Sequence, residues 1–266
     1  MTTCAYCKQK QPATREHVIP SFMYAFQKEL EQSVIGWNEV IEKMARGESK
    51  VKDVCASCNN GTLGILDAHA KKLFVDSGLL VQNYVKSNLV LRYDFALLLR
   101  WLLKVSFNSS RTDGAHSHLF ERHIPFMLGT SPIPSRSKVA PIAYLAAPEY
   151  LGKSRIQEEP FSRVAQDSKV LNPFLVRICY GAVQSTDEYT LRINIFGPLV
   201  FYMLMFREDV LPGHAAAAIR RFLKGTAGAV ELTPQQRVIQ LHAGKQSWLD
   251  LYEYQIRRSR ALAKGG

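Results

Sequence analysis

Four of the five cysteines in this chain fall into two C-x-x-C pairs, a spacing typical of a metal site. The pairs are CAYC and CASC, and the fifth cysteine, Cys179, lies alone between apolar residues. An odd cysteine count, with an N-terminus that lacks the layout of an export signal, argues against a disulfide framework. A redox role for one pair would leave the other pair unexplained. Because two such pairs can surround one ion tetrahedrally, we expect structural zinc on Cys4, Cys7, Cys55 and Cys58.

Between the two pairs, the stretch TREHVIP places a carboxylate and a histidine side by side, ahead of an apolar run. These residues are Glu16 and His17, and Asn59 directly follows the last cysteine, where bound zinc would fix its position. If zinc takes the four cysteines, His17 is not needed as a zinc ligand.

The ordered set C-x-x-C, EHVIP and C-x-x-C-N resembles the HNH endonuclease superfamily, also called the ββα-metal or His-Me finger nucleases. The resemblance is confined to the N-terminal part of the chain. It implies two strands and a helix around a catalytic divalent cation, often stapled by structural zinc. It also implies that Glu16 and Asn59 hold Mg²⁺ or another divalent cation while His17 activates water. These roles suit phosphodiester hydrolysis, which needs a base for the incoming water and positive charge at the leaving oxygen. A neutral imidazole would be the base, and a carboxylate with an amide oxygen suits Mg²⁺, which takes hard oxygen ligands. Asn60 is the alternative to Asn59, and Asn38 is the candidate for the family's middle asparagine.

Periodicity predicts the elements that carry these residues. Helical spacing marks residues 21–32 and 36–48, residues 50–55 alternate like a strand, and a helix begins near Asn59. Further on, we expect helices over 93–111 and 213–262, and strands over 139–147, 174–183, 189–196 and 199–206, with a hairpin turn at QSTDE. The predicted fold class is α+β. Residues 1–80 would form the zinc-stapled ββα-metal module, and residues 81–266 a larger α+β domain with a mainly antiparallel sheet.

The basic charge of the chain favours a polyanionic partner. The net charge is +11, but residues 1–80 carry 10 basic and 9 acidic side chains, so nearly all of the excess lies beyond them. We therefore expect nucleic acid, above all DNA, as the partner, with phosphate contacts from residues 213–264. No apolar run reaches the length of a membrane span, which predicts a cytoplasmic protein without membrane contact.

The function expected from these residues is metal-dependent endonuclease activity of the HNH type. The resemblance makes a role in bacterial restriction or anti-phage defence an expectation. Cleavage of both strands with one site per chain favours a homodimer, and a partner protein of a defence system is a further expectation. One alternative stays open: a non-catalytic, zinc-containing protein that binds nucleic acid, with Glu16 and His17 in a structural role.

Overall fold

The computed structural model describes residues 1–30, 35–38, 43–113, 116–150, 169–181 and 187–253. Helices and strands are mixed along the chain, as the predicted fold class requires. The helices are α1 (Ser21–Glu29), α2 (Gly64–Asp76), α3 (Phe95–Asp113), α4 (His118–Glu121), α5 (Ile124–Leu128) and α6 (Pro212–Gly225). The strands are β1 (Thr2–Thr3), β2 (Lys10–Gln11), β3 (Ala13–His17), β4 (Ile35–Asn38), β5 (Lys43–Arg46), β6 (Lys50–Cys55), β7 (Asn88–Arg92), β8 (Val139–Ala147), β9 (Glu149–Tyr150), β10 (Val170–Leu171), β11 (Val176–Tyr180), β12 (Tyr189–Phe196), β13 (Leu199–Phe206), β14 (Val230–Glu231) and β15 (Val238–Ser247).

A seven-stranded sheet forms the larger part of the structure. Its order is β11-β12-β13-β8-β15-β7, and β14 pairs with β8. Every pair is antiparallel except β8 with β15, so the expectation of a mainly antiparallel sheet is confirmed. The strands predicted over 139–147 and 199–206 are confirmed as β8 and β13. The predicted hairpin is confirmed as β11 paired with β12, while most of its turn lies outside the described residues.

Helix α3 lies at the centre of the hydrophobic core, as its apolar sequence predicts. The Trp101 ring centroid lies 6.0 Å from that of Phe74 on α2 and 4.9 Å from that of Phe196 on β12. Burial of an aromatic side chain of this size contributes about 1.5–3 kcal/mol. One cluster of buried residues joins residues 1–80 to residues 81–266, and the division into two domains stays a prediction. None of the described helices is long and apolar enough to span a bilayer.

Strands β3 and β6 form an antiparallel ribbon in the N-terminal part of the chain. The strand predicted over 50–55 is confirmed as β6, and the chain then enters a helical turn, Ser57–Leu63, that leads into α2. The predicted helix near Asn59 is thereby confirmed. The turn and α2 meet at a kink where Gly61 has φ −88° and ψ −105°, a conformation that a residue without Cβ adopts most readily.

Helix α3 turns a row of polar side chains towards this ribbon. Lys104, Asn108 and Arg111 recur at i, i+4 and i+7, so they share one face of the helix. Lys104 is fully buried, and its Nζ lies 2.6 Å from Glu16 Oε1 on β3 and 2.6 Å from Asp67 Oδ2 on α2. A single ammonium group therefore connects three elements.

The remaining members of this row reinforce the same contact. Asn108 donates to the backbone carbonyl of His17 at 3.0 Å and accepts from the Tyr6 hydroxyl at 2.6 Å. Arg111 Nη1 lies 2.6 Å from Asp53 Oδ1 on β6. Both strands of the ribbon are thus tied to α3 through buried or half-buried polar groups, whose hydrogen bonds offset the cost of removing them from water.

The helix predicted over residues 36–48 is wrong. The backbone there forms β4 and β5, which pair antiparallel from Ile35↔Arg46 to Asn38↔Lys43. The stretch VIGWNEVI is rich in β-branched and aromatic residues, which favour strands. Gly36 and Gly47 add a further penalty against helix, because glycine is a poor helix former.

The helix predicted over residues 213–262 is confirmed only for its first part, as α6. The prediction is wrong for β15, which pairs with β7 and β8 in the main sheet. At the start of β15 exposed and buried residues alternate, and Ile239 and Leu241 face the core. That period of two is the pattern of a strand. Residues 254–262 of the predicted helix lie outside the described residues.

Substitution of Lys104 by methionine tests how strongly this buried cation stabilises the fold. The variant leaves the Glu16 and Asp67 carboxylates without their cation, and breaking a buried ion pair costs about 3–5 kcal/mol. We expect the free energy of unfolding in urea, followed by circular dichroism, to fall by that amount. Lys72→Met is the matched control, because the Lys72–Asp76 pair on α2 is exposed and contributes less than about 1 kcal/mol. Equal losses in both variants would contradict the central role of Lys104.

Candidate functional site

The four paired cysteines converge on one point beside the ribbon. Their sulfur atoms all lie within 4.8 Å of one another, and Cys7 Sγ is 3.7 Å from Cys55 Sγ. Zinc binds thiolates at about 2.3 Å, which places the ligands of a tetrahedral site about 3.8 Å apart. Cys4, Cys55 and Cys58 are buried and Cys7 is half-buried. The cluster has the donors, spacing and burial to bind a metal ion such as zinc.

Backbone contacts build the first half of this cluster. Lys8 adopts a left-handed conformation with φ 62°, and its N–H donates to the carbonyl of Cys4 at 3.0 Å, which closes a tight turn around the first pair. The Ala5 N–H donates to the carbonyl of Asp53 at 2.8 Å and so fixes the turn to β6. The N–H of Cys55 approaches Cys4 Sγ at 3.4 Å, a contact that supports a thiolate.

The thiols of the cluster differ in acidity. Burial raises the pKa of Cys4, but backbone N–H groups of Cys55, Cys7 and Tyr6 outweigh it and bring the pKa down to about 7. Burial, together with the neighbouring thiols of Cys55 and Cys7, raises the pKa of Cys58 well above its usual value. A bound dication would offset both burial and thiolate repulsion. The four cysteines, three of them buried, are therefore compatible with a bound metal and unfavourable as four bare thiolates.

Glu16 and His17 point to opposite faces of β3, because neighbouring residues of a strand alternate. Glu16 faces α3 and is buried, with Oε1 contacted by Lys104 Nζ at 2.6 Å and by Asn108 Nδ2 at 3.1 Å. Both contacts go to the same oxygen. The structure therefore holds the Glu16 carboxylate in one orientation and leaves its second oxygen, Oε2, outside these contacts.

His17 lies on the outer face of the ribbon, with its side chain 25 % exposed. Its Nε2 lies 2.9 Å from Glu48 Oε2, and its ring packs at a tilt on Tyr24 of α1, 5.9 Å between centroids. The histidine is thus oriented by a carboxylate distant in sequence and by an aromatic ring, while part of the imidazole remains open to solvent.

Asn59 lies in the helical turn directly after Cys58 and docks on the ribbon. Its Nδ2 donates to Thr14 Oγ1 at 2.9 Å and to the carbonyl of Arg15 at 3.1 Å. Thr14 in turn donates to the carbonyl of Val54 on β6 at 2.8 Å. Because a backbone carbonyl only accepts, the amide nitrogen must face Arg15, and the amide oxygen Oδ1 is directed away from it. The neighbouring Asn60 is exposed.

The structure places the three predicted site residues on or against β3. Glu16 and His17 belong to the strand, and Asn59 is hydrogen-bonded to it. Among the described residues, no hydrogen bond joins the side chains of these three residues to one another. Asn38 lies in β4, and its side chain is outside the described part of the structure.

Sequence reasoning missed the residues that orient this site. Lys104 could have been noticed from the sequence, since it is one of two charged residues, with Arg100, in the apolar middle of a helix, and a buried charge needs a partner. Asn108 and Arg111 could be placed on the same face by spacing alone. Glu48 could not be recognised from the sequence as a partner of His17, because this contact depends on the path of the chain between β5 and β6. Cys179 is buried in β11, as predicted.

The outer face of the ribbon is basic although residues 1–80 are nearly neutral. Arg15, Lys50 and Lys52 are exposed there, and Lys50 lies opposite His17 in the register of β3 and β6. Three acidic groups of the same part of the chain are paired instead with Lys104 and Arg111 on α3: Glu16, Asp53 and Asp67. Pairing with α3 removes these three acids from the side that carries His17, where Glu48 pairs with Lys50 and where Arg15 and Lys52 remain exposed.

The structure describes only some of the basic residues of segment 213–264 that were predicted to contact phosphate. On α6, Arg220 is exposed, whereas Arg221 is paired with Glu188. Arg257 and Arg258 belong to that prediction and lie outside the described residues. The phosphate-binding role of the segment stays a prediction.

Comparison of the chain with protein-family models, with curated proteins and with solved structures found no match. The site is defined by its own geometry: a four-cysteine cluster, a ribbon tied to α3, a partly exposed histidine paired with a carboxylate, and an asparagine docked between the cluster and the ribbon.

Metal analysis of the purified protein tests the cysteine cluster. We expect one zinc per chain, and we expect Cys55→Ser to lose the metal and to unfold the N-terminal region, because metal binding at such sites contributes directly to folding. Cys179→Ala is the control, since Cys179 lies in β11, away from the cluster ligands, and should keep one zinc. A metal-free wild-type protein with the same melting temperature as a zinc-loaded sample would contradict the assignment.

Proposed function

We propose that this protein is a metal-dependent endonuclease of the HNH type that hydrolyses phosphodiester bonds in nucleic acid, with DNA as the favoured substrate. The observation that carries the proposal is the position of His17. It lies on a strand of a two-stranded ribbon, partly exposed and oriented by a carboxylate, and the helix that follows the ribbon presents Asn59 to the same strand. A non-catalytic nucleic-acid-binding protein has no need for an oriented, open imidazole at this place.

In the proposed reaction, His17 is the general base. A water molecule positioned against the exposed part of the ring gives a proton to the imidazole and attacks the scissile phosphate. Proton transfer to a positioned histidine typically accelerates such a step by about 10²- to 10⁴-fold. The contacts of His17 with Glu48 and Tyr24 support this role, because they hold the ring while leaving one edge accessible.

Glu16 and Asn59 are the proposed ligands of a divalent cation, Mg²⁺ or a similar ion. Lys104 and Asn108 engage Glu16 Oε1, which leaves Oε2 for a cation, and the hydrogen bonds of Asn59 Nδ2 leave Oδ1 for the same purpose. One carboxylate and one amide oxygen fit Mg²⁺, which retains several waters and phosphate oxygens as its other ligands. When bound, the ion would supply positive charge for the leaving oxygen.

The basic outer face of the ribbon supports a nucleic-acid substrate. Arg15 and Lys52 are exposed on the face that carries His17 and offer charge to a phosphate backbone without reading bases, while Lys50 on the same face is paired with Glu48. The four-cysteine cluster would hold Asn59 in position, because Cys58 directly precedes Asn59 and a metal bound to Cys58 would fix the backbone there.

Substitution of His17 by alanine is the first test of this proposal. We expect cleavage of plasmid, linear duplex, single-stranded DNA or RNA by the wild-type protein with added Mg²⁺, and a rate lower by about 10²- to 10⁴-fold in the variant. Binding of nucleic acid, zinc content and melting temperature should be retained, because the base acts only in the chemical step.

The control for this substitution is His214→Ala, an exposed histidine at the start of α6 that should cleave like the wild type. EDTA should stop the wild-type reaction and excess Mg²⁺ should restore it. Wild-type rates in the His17→Ala protein would remove His17 from the mechanism, and an inactive wild type that still binds DNA would favour the non-catalytic alternative.

Substitution of Asn59 or of Asn60 by alanine tests which of the two residues belongs to the cation site. We expect Asn59→Ala to reduce cleavage strongly and to raise the Mg²⁺ concentration that gives half-maximal rate, because it removes a proposed ligand. Asn60→Ala should behave like the wild type, since its side chain is exposed and makes no described contact with β3. If Asn60→Ala reduced cleavage and Asn59→Ala did not, the ligand would be Asn60.

A further inference from the structure

The contact between His17 and Glu48 joins two residues that are 31 positions apart in the chain. Glu48 follows Gly47, which has φ 95°, a left-handed conformation that glycine adopts without strain. The next residue, Ser49, is fixed on both sides, since its N–H donates to the Tyr24 hydroxyl at 3.0 Å and its carbonyl accepts from the N–H of Val18 at 3.0 Å. The segment that presents Glu48 to His17 is therefore anchored to both α1 and the end of β3.

Two lysines keep the Glu48 carboxylate ionised. Lys28 Nζ lies 2.7 Å from Oε1, and Lys50 Nζ lies 2.8 Å from Oε2. Hydrogen bonds from Lys28, Lys50 and His17 hold the pKa of Glu48 well below its usual range. An ionised carboxylate only accepts hydrogen bonds, so the nitrogen of His17 that faces it has to carry a proton.

This constraint determines which nitrogen of His17 is basic. A neutral imidazole has one protonated nitrogen and one with a free lone pair. With the proton on Nε2, facing Glu48, the lone pair lies on Nδ1. Among the described residues no hydrogen bond is made to Nδ1, and this nitrogen is thus the one available to a water molecule.

We propose that Glu48 is a positioning residue that holds His17 as its Nε2–H tautomer, so that Nδ1 acts as the base towards the attacking water. The inference rests on the proposed function for its catalytic part, and the tautomer itself is independent of it. Lys28 and Lys50 assist indirectly, because they fix both oxygens of Glu48 and balance its charge beside the basic outer face.

Kinetics of Glu48→Gln and Glu48→Asp test the catalytic part. Glutamine can turn its amide group to donate to Nε2. The proton of the imidazole would then lie on Nδ1, which could no longer accept a proton from water. We expect kcat to fall on the order of 10²-fold with KM nearly unchanged, as for loss of a general base. Aspartate keeps an ionised acceptor and should restore a substantial part of kcat. Glu29→Gln, at the exposed end of α1, is the matched control and should leave kcat unchanged.

Nitrogen NMR of the full chain with ¹⁵N-labelled histidine tests the tautomer without any cleavage assay. The signals of His17 are assigned by their loss in His17→Ala, and spectra are recorded over a series of pH values so that the ring with a single proton is observed. We expect a protonated Nε2 and an unprotonated Nδ1 in the wild type and in Glu48→Asp. In Glu48→Gln the proton should shift towards Nδ1, with the other histidine signals unchanged.

The outcomes separate this inference from the proposed function. An inactive wild type that shows the Nε2–H tautomer would reject the nuclease and retain Glu48 as the residue that sets the state of His17. A wild-type Nδ1–H tautomer would overturn the inference even in an active enzyme. Faster cleavage by Glu48→Gln would also overturn it, because the carboxylate would then obstruct the site. Melting temperatures of the three Glu48 and Glu29 variants identify any loss caused by unfolding.

Discussion

The buried ammonium of Lys104 is the interaction on which the arrangement of the N-terminal region depends. It is fully buried and contacts carboxylates on β3 and on α2. A charge in this environment is tolerated only with close partners, because its transfer from water costs several kcal/mol. The ribbon and α2 must therefore dock on α3 in one register, with Glu16 and Asp67 on either side of the same nitrogen. The orientation of His17 follows, since Glu16 facing inward forces its neighbour outward.

Two different constraints thus meet at the ribbon. The sulfur cluster draws the start of the chain, the end of β6 and the following helical turn together, and the polar face of α3 fixes the other side of β3. Asn59 lies between them, next to a cluster ligand and hydrogen-bonded to the ribbon. A side chain held from two directions loses little entropy when it binds a ligand, which is the usual advantage of a preorganised site.

The sequence predicted the parts of this structure that have a local pattern. β6, β8, β13 and the apolar α3 follow from alternation, apolar runs and helical spacing. The four cysteines converge as their C-x-x-C spacing predicts. The helix predicted over 36–48 was wrong, and so was the part of the helix predicted over 213–262 that forms β15. Short stretches fit both the helical and the strand period, and the pairing partners decide between them.

The partners of the site residues follow from no local pattern. Glu16 was predicted from its neighbours in sequence, and nothing near it points to Lys104, which lies far along the chain. Glu48 meets His17 through the course of a connecting segment, and this course is set by tertiary contacts with Tyr24 and Val18. Side-chain types within a motif are thus readable from the sequence, whereas the groups that orient them depend on long-range docking.

The place of β7 in the sheet bears on how the chain acquires its fold during synthesis. β7 precedes α3 directly and pairs with β15, from Arg92↔Val238 to Asn88↔His242, so 146 residues separate the first of these partners. At about 5–20 residues per second, a ribosome needs roughly 7–30 s to produce that length. The edge strand β7 is therefore made early and paired late. During that interval its unpaired backbone groups can pair with another chain, so slower translation lengthens the exposure of this strand to aggregation.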